Sequence, residues 1–347
     1  MKKAVINSVK IGVSAVILAA LAYKGWTSLR QDPVAYEQLV HDPKDWSLLA
    51  AALAVALTAV LFTFLRWCLL VRALGLDFTL REAVRLGFVG YLFNFTLSIV
   101  GGDVIKSLAI AHRQPGRRTA ATATVIVDRI IGLYALFVVG AAASLFMDFS
   151  SLRNVSPQQA EMALRVCQAT QVLTVIGAVG FALILLPGLA TMNAWEMLGR
   201  IPRIGATLLS ALEAIRMYRR QPGLLAVTLA ISLGVHCLYA FAIYLLSRAF
   251  PGPDPSLASY FIVAPISMVA GAAPLPGGLG AFEVAFAFMY QALSTAEVHA
   301  VQGLVIALAF RAITLVIACV GAVYYLVDRR EVQTLVEEAE HQPAQIV

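Results

Sequence analysis

Residues 48–65 read LLAAALAVALTAVLFTFL, eighteen residues in a row without a charged side chain. A helix of about this length crosses the hydrocarbon core of a bilayer. Four more stretches are apolar over a similar length, the last interrupted by a single arginine: 166–194, 224–247, 255–282 and 298–327. Strands of a membrane β-barrel alternate apolar and polar residues, and these stretches do not. The pattern therefore predicts an all-α, polytopic helical membrane protein.

The composition agrees with this class. Of the 347 residues, 60% are hydrophobic and only 13% are charged, which is too little polar surface to coat a water-soluble body. The formal net charge is +6. In a membrane protein an excess of Lys and Arg encodes orientation, so no nucleic-acid partner is expected.

The basic residues divide the chain into cytoplasmic and external segments. A first, uncleaved helix is expected from about Val5 to Ala22. Three groups have the basic character of cytoplasmic segments: Arg66, Arg72, Arg81 and Arg85; Arg113, Arg117 and Arg118; and Arg200, Arg203, Arg216, Arg219 and Arg220. Residues 24–47 and 148–165 are predicted to be external loops, and residues 195–218 to lie along the cytoplasmic interface.

Two segments are too short or too irregular for full spans. Residues 86–100 have a cytoplasmic group on either side, so the chain is predicted to enter from the cytoplasm, turn at Gly101–Gly102 and return. Residues 257–293 are broken at Pro274–Gly280 and are predicted to form a second re-entrant hairpin, which enters from outside. Such backbone is tolerated at membrane depth when it is packed in protein. The expectation is six full spans plus two re-entrant hairpins, about eight membrane segments.

This topology is an inverted repeat within one membrane domain, 1–347. Helix, helix, hairpin, helix occurs in residues 1–147 and again, in the opposite orientation, in residues 166–327. Residues 328–347 are then a cytoplasmic tail. Broken segments at corresponding positions of two inverted halves typically mark the binding site of a transporter.

Five charged residues remain inside the predicted membrane segments: Asp103, Asp128, Arg129, Glu283 and Arg311. An arginine within a span costs at least about 2.5 kcal/mol unless it is paired or hydrated. In one interpretation these residues line a polar cavity, where the planar guanidinium groups bind a phosphate. In the other, Asp128 and Arg129 lie near the interface and Glu283 pairs with Arg311 for structural reasons.

The glycine turns also have two interpretations. The turn Pro276–Gly280 leads into a helix N-terminus, where backbone N–H groups bind anions, or it requires glycine only for packing. The functional hypothesis assigns substrate binding to Arg129, Arg311, Gly277, Gly278 and Lys106. It assigns charge balance or proton coupling to Asp103, Asp128 and Glu283. It assigns hinges to Gly101, Gly102, Pro276 and Gly280.

Motifs of catalysis and cofactor binding are missing from the sequence, which contains no HExxH, GxSxG, Walker or dinucleotide fingerprint. The four cysteines, Cys68, Cys167, Cys237 and Cys319, lie far apart. Neither enzymatic activity nor a metal or cofactor is therefore expected. His236 lies in mid-span, where a hydrogen-bonded packing role is favoured over a proton relay.

Three runs and one arginine carry a family resemblance: GGDVIK at 101–106, VDRIIGL at 127–133, PGGLGAFE at 276–283, and Arg311. In order and spacing they resemble the lysylphosphatidylglycerol synthase transmembrane family, also called flippase-like. The resemblance covers nearly the whole chain. In multidomain members the membrane part is held to move aminoacylated phosphatidylglycerol between leaflets, while a soluble domain attaches the amino acid. The resemblance therefore implies translocation rather than synthesis.

The leading hypothesis is a flippase or transporter for an anionic phospholipid or a polyprenyl-phosphate-linked lipid. It is expected in a bacterial or archaeal plasma membrane, with both termini cytoplasmic. No ATP-binding motif is present, so an ion gradient or no external force would drive it. Two alternatives are a membrane glycosyltransferase or other lipid-modifying enzyme, and a non-transporting accessory protein. The sequence carries no signal for an oligomeric state.

Overall fold

The computed structural model is mostly helical, and its described residues contain no strand. The described residues are 16, 19–20, 23, 25–27, 29–31, 33–96, 101–114, 117–146, 156–185, 213–252, 255–271, 280–294 and 301–327. Within them lie nine helices of twelve residues or more: α1 Trp46–Ala73, α2 Leu80–Thr96, α3 Gly101–Arg113, α4 Arg118–Leu145, α5 Pro157–Leu185, α6 Pro222–Arg248, α7 Leu257–Gly271, α8 Ala281–Ala292 and α9 Gln302–Val327.

Five of these helices, α1, α4, α5, α6 and α9, are long and apolar enough to cross a membrane. Each has 26–29 residues, which corresponds to about 39–44 Å. The prediction of a polytopic helical membrane protein is thus confirmed. The first predicted span, residues 5–22, lies largely outside the described residues. The four remaining helices have 12–17 residues and are about 18–26 Å long, shorter than the hydrocarbon core.

Several helices begin earlier than the sequence pattern predicts. Helix α2 starts at Leu80 rather than near residue 86, because Thr79 and Glu82 form a capping box in which the Glu82 carboxylate accepts the Thr79 N–H at 2.7 Å. Helix α5 starts at Pro157, so the predicted external loop 148–165 was wrong over its second part, where Arg165 pairs with Glu161 one turn earlier.

The other predicted external loop, 24–47, was also wrong in part. Residues 33–36 form a turn of α-helix and residues 37–41 a π-helical turn. Asp45 then caps α1, since its carboxylate accepts the N–H groups of Ser47 and Leu48 at 2.9 and 3.2 Å.

Helices α1 and α6 run antiparallel along their whole length. At one end the Asp45 N–H donates to the Ala249 carbonyl at 3.0 Å. At the other, the Gln221 side chain donates to the Ala73 carbonyl at 2.7 Å. We call these the Trp46 end and the Ala73 end of the bundle, after the first and last residues of α1.

The four short helices form two antiparallel hairpins. In hairpin 1, α2 and α3 are joined at their open end by an ion pair between Arg113 and Glu82, with 2.6 Å between Nη1 and Oε1. In hairpin 2, α7 and α8 are joined by the Ser259 hydroxyl, which donates to the Leu293 carbonyl at 3.2 Å. Hairpin 1 follows α1 and opens at the Ala73 end, whereas hairpin 2 follows α6 and opens at the Trp46 end.

Each hairpin packs on the last long helix of the other half of the bundle. Helix α2 contacts α9 and helix α7 contacts α4. The first contact is so close that a Cβ atom on Gly321 would lie 2.2 Å from the Phe88 carbonyl oxygen. In the second, a Cβ atom on Gly140 would lie 3.4 Å from the Cβ atom of Pro265. Phe88 and Pro265 are each the ninth residue of their helix.

Candidate functional site

The carboxylate of Asp103 lies between two cations. Arg129 of α4 donates to Asp103 through its Nε atom. Lys106, one turn after Asp103 in α3, has its Nζ atom 3.8 Å from Asp103 Oδ1 and 5.0 Å from the centre of the Trp67 ring. One carboxylate and two cations give this trio a formal charge of +1. Asp103 and Lys106 are mostly buried, whereas the Arg129 side chain is 45% exposed.

A close contact between two helices positions this trio. Gly102 in α3 crosses Gly90 in α2, and a Cβ atom on Gly102 would lie 1.9 Å from the Gly90 carbonyl oxygen. The Asn94 side chain accepts the Gly102 N–H at 2.9 Å and so satisfies a donor of the first turn of α3. Asp103 is the third residue of that helix, where a negative charge is favoured by the helix dipole. Gly101 and Gly102, predicted as hinges, are thus the first two residues of α3.

Asp128 faces a different partner from its neighbour Arg129, because adjacent helical side chains point in different directions. Its Oδ1 atom lies 2.7 Å from Nε of Arg66 in α1. The Arg66 Nη1 atom donates to the Ser232 hydroxyl in α6 at 2.7 Å. All three side chains are buried. The polar contact thus joins α1, α4 and α6.

The sequence-based placement of Arg66 at the cytoplasmic end was therefore wrong. The positive-inside tendency assigned it to the same group as Arg72, but Arg66 lies two turns inside α1. The signal that identifies it is Asp128: a carboxylate within a span requires a cation, and Arg129 cannot reach back to its own neighbour.

A second acid–arginine pair joins α8 and α9. Glu283 is the third residue of α8, as Asp103 is of α3. Its Oε1 atom lies 2.7 Å from Arg311 Nε, and Oε2 accepts the Gly280 N–H at 2.7 Å. The Glu283 side chain is fully buried and Arg311 is 15% exposed. Gly280 has φ 89°, a conformation that favours glycine.

Both arginines lie well inside their helices. Arg129 is the twelfth residue of α4 and Arg311 the tenth of α9, about 17 and 14 Å from the respective helix starts. Of the other residues in the functional hypothesis, Pro276, Gly277 and Gly278 lie outside the described residues. The structure thus brings Asp103, Lys106 and Arg129 into one group, with the Arg66–Asp128 pair close enough to interact with it electrostatically. Glu283 and Arg311 form another pair.

The two halves differ in how much charge surrounds the shared pair. Three residues after the acid stands Lys106 in the first half but Phe286 in the second, and directly before the arginine stands Asp128 but then Phe310. The second pair is instead surrounded by aromatic rings, with the Arg311 guanidinium 5.4 Å from the centre of the Phe282 ring. Among the described residues around these two pairs, the net positive charge therefore lies at Asp103, Lys106 and Arg129.

His236 packs beside the buried Arg66–Asp128 pair. Its Nε2 atom lies 2.9 Å from the Gly132 carbonyl oxygen, as the packing interpretation predicts. A Cβ atom on Gly132 would lie 3.1 Å from Arg66 Nη1, so His236 and Arg66 approach the same turn of α4. Among the described ranges, no three side chains of His, Cys, Asp or Glu come together in a way that could hold a metal ion.

Comparison with known proteins gives one family. The family described as the lysylphosphatidylglycerol synthase TM region matches residues 7–321, which confirms the resemblance inferred from the motifs. The matched range contains both acid–arginine pairs, both hairpins and the Arg66–Asp128 pair. No curated protein matches the chain, and no solved structure does.

Proposed function

Because the chain belongs to the lysylphosphatidylglycerol synthase transmembrane family, we propose that it moves an anionic lipid between the two leaflets of a bilayer. The cargo is an anionic phospholipid or a polyprenyl-phosphate-linked lipid, and its phosphate binds at the Asp103 trio. The family indicates a role with membrane lipids. The positive charge of the Asp103 trio supports the proposal that the cargo is anionic and that its phosphate binds there.

The observation that carries the proposal is the net positive charge of Asp103, Lys106 and Arg129. Asp128 and Arg66 also act on Lys106, and adding them leaves the formal charge of the group at +1, which is costly in a membrane interior. A phosphate that enters the site removes that cost and receives charge-assisted hydrogen bonds from Arg129 and Lys106. Arg129 is the exposed member of the trio, so it is the group that an incoming headgroup meets first.

The arrangement of the helices supports alternating access to this site. We propose that α1–α4 and α6–α9 are inverted repeats and that both hairpins are re-entrant. Three observations support this: α1 and α6 are antiparallel, the hairpins open at opposite ends, and their helices are too short to span. Transporters with inverted repeats move by rocking one repeat against the other around a central site.

The distribution of basic residues supports an orientation. Among the described residues, the Ala73 end carries most of the arginines: Arg72, Arg81, Arg85, Arg113, Arg117, Arg118, Arg216, Arg219 and Arg220. We propose that this end faces the cytoplasm. Hairpin 1 then enters from the cytoplasm and hairpin 2 from outside.

The remaining charged residues have distinct proposed roles. Arg311, the counterpart of Arg129, is the second phosphate contact in the opposite half. Glu283 and Asp128 balance the charges of Arg311 and Arg66, and protonation of a carboxylate couples a proton to movement of the anion. The assignment of Gly277 and Gly278 to phosphate binding stays a prediction from the sequence.

A lipid-exposure assay in proteoliposomes tests the proposal. Fluorescent phosphatidylglycerol is incorporated, and dithionite quenching reports how fast labelled lipid reaches the outer leaflet. Loss of one charge-assisted hydrogen bond is worth about 1.5–3 kcal/mol, so Arg129→Gln and Lys106→Met should each slow exposure about 10- to 100-fold. Arg165→Gln removes a charge from an exposed pair and is the matched control.

The proposal is wrong if Arg129→Gln, Arg311→Ala and Glu283→Gln all leave the rate at the wild-type value while protein amount and elution volume are unchanged. Arg129→Lys is a further variant for the same assay, since it keeps the positive charge but loses the planar guanidinium group that can donate two parallel hydrogen bonds. It should retain a partial rate. Chemically altered lipid in the recovered vesicles would favour the lipid-modifying enzyme instead.

A further inference from the structure

Helix α6 carries three polar side chains in the middle of an apolar span. They are Ser232, His236 and Tyr239, and their spacing of four and then three residues places them on one face of the helix. Seven residues separate Ser232 from Tyr239, which corresponds to about 10 Å along the helix axis. This polar face of α6 is therefore long enough to connect groups at two different depths of the bundle.

The first end of the polar face lies at the buried ion pair beside the Asp103 trio. Ser232 accepts a hydrogen bond from Arg66 Nη1 at 2.7 Å, and Arg66 acts electrostatically on Lys106 of the trio. A headgroup whose phosphate is bound at the trio is therefore close to the start of the polar face.

The second end lies at the other acid–arginine pair. The Tyr239 ring packs edge-on against Phe310, with 6.3 Å between the ring centroids, and Phe310 directly precedes Arg311 in α9. The Tyr239 hydroxyl group also interacts electrostatically with Arg66. Tyr239 thus lies between the Arg66–Asp128 pair and Arg311.

A second hydroxyl group comes from Tyr91 of α2. It interacts electrostatically with Tyr239 and with Arg311, and both tyrosines pack against the same buried apolar core. Tyr91 directly follows Gly90, where an added Cβ atom would lie 2.8 Å from Cε of Lys106. Residues 90 and 91 of α2 therefore border both the trio and the surroundings of Arg311.

A neutral donor suits an intermediate position between two arginines. A phosphate that has no hydrogen-bond donors around it in the membrane interior is costly, and a tyrosine hydroxyl group supplies a donor without adding a charge. Because it is uncharged, the hydroxyl group also attracts the phosphate less strongly than a guanidinium does. The anion can therefore leave again, as passage through a series of sites requires.

We infer that Tyr239 and Tyr91 are intermediate phosphate contacts, and that an anionic headgroup passes between α2 and α6 on its way from Arg129 to Arg311. The inference rests on the proposed function, since it assigns a route to the same cargo. The two hydroxyl groups donate to the phosphate during the passage, whereas the resting lipid is bound at the Asp103 trio. Loss of either hydroxyl group should therefore slow the passage more than it weakens binding.

The kinetics of lipid exposure test the inference. The proteoliposome assay is repeated at several mole fractions of fluorescent phosphatidylglycerol, which separates the maximal rate from the half-saturating mole fraction. Tyr239→Phe and Tyr91→Phe should each lower the maximal rate about 3- to 10-fold and change the half-saturating fraction by less than about 2-fold. Tyr134→Phe is the matched control, because Tyr134 packs against Gly177 and Phe181 of α5, and it should keep both wild-type values.

The outcomes separate this inference from the proposed function. If wild type exposes lipid and both Tyr239→Phe and Tyr91→Phe keep its maximal rate, the inference is wrong and the proposed function stands. Equal slowing by Tyr134→Phe also overturns the inference, because the hydroxyl groups would then act through the fold. Exposure that wild type does not accelerate over empty liposomes overturns the proposed function together with this route. Gel filtration of each variant shows that the fold is kept.

Discussion

Arg66 and Asp128 form a buried ion pair, with 2.7 Å between Nε and Oδ1, where α1, α4 and α6 come together. Asp128 belongs to α4 and Arg66 to α1, and Arg66 also donates to Ser232 of α6. The ion pair lies within α1–α4, and the Arg66–Ser232 hydrogen bond links it to α6. Movement of α6 against α1 must preserve or break that hydrogen bond.

Removing one member of this pair should destabilise the protein strongly. Arg66→Met leaves a buried carboxylate and Asp128→Leu leaves a buried guanidinium, so each should cost about 3–5 kcal/mol. The double variant removes both charges and should be more stable than the sum of the single effects by at least about 1 kcal/mol. Unfolding in detergent micelles, followed by tryptophan fluorescence, measures the four proteins of this cycle.

The exposed pair Glu161–Arg165 supplies the control cycle. Its two side chains are mostly exposed, so Glu161→Leu with Arg165→Met should show a coupling energy of only about 0.3–0.5 kcal/mol. Equal coupling in the two cycles would contradict the importance given to the buried pair.

Gly102 should not tolerate even a methyl group. Its added Cβ atom would meet the Gly90 carbonyl at 1.9 Å, and backbone cannot rotate away as a flexible side chain does. Gly102→Ala should therefore cost about 1–3 kcal/mol through overpacking and lower the midpoint of thermal unfolding. Gly234→Ala in α6 meets open space and should leave the midpoint unchanged or slightly raised. Equal midpoints for the two variants would mean that hairpin 1 can open at no cost.

Single cysteines should be accessible from opposite sides of the membrane according to the end at which they lie. In a background with all four native cysteines replaced by alanine, Arg118→Cys and Arg220→Cys lie at the Ala73 end, and His41→Cys and Arg165→Cys at the Trp46 end. An impermeant maleimide added to intact cells should label only the second pair. Labelling of the first pair alone would reverse the proposed orientation.

The start of α2 and the end of α3, which lie together at the open end of hairpin 1, give a sharper test of its topology. Arg81→Cys at the start of α2 and Arg113→Cys at the end of α3 should both react from the side that labels Arg118→Cys. Reaction of the two from opposite sides would rule out a re-entrant hairpin.

Asp45 should make the capping of α1 depend on pH. Hydrogen bonds from the Ser47 hydroxyl, and from the N–H groups of Leu48 and Ser47, hold the pKa of the Asp45 carboxylate below its ordinary value. Its stabilising effect is therefore complete above the ordinary pKa of about 3.9 and disappears as the pH falls through the lower pKa of the folded protein. The stability difference between wild type and Asp45→Ala should shrink toward zero between neutral and strongly acidic pH.

The sequence predicted the five long apolar helices because run length and charge are local properties. An apolar run either is or is not long enough to span, whereas the re-entrant course of the two short segments stays a prediction. The acid–arginine pair Glu283–Arg311 was predicted for the same reason, since a span holds few charges and each needs a partner.

Two features were not predictable from local pattern. Helices α2 and α5 extend into charged sequence, because capping and i,i+4 pairs stabilise helix ends outside the apolar run. Arg66 was assigned to the cytoplasm because its distance from the end of α1 is only about two turns, and the rule that orients spans does not resolve such a distance. Its partner comes 62 residues later, and only the packing of α1 on α4 reveals it.

The contact between hairpin 1 and α9 has a consequence for synthesis of the chain. Hairpin 1 packs on α9, yet α9 begins about 200 residues after α2 ends. During translation hairpin 1 can pack on α1 and α4, but the face of α2 that contacts α9 must wait until the last long helix is made. We expect that face to remain open to chaperones and proteases until then, so a ribosome that stalls before α9 would leave it unpacked.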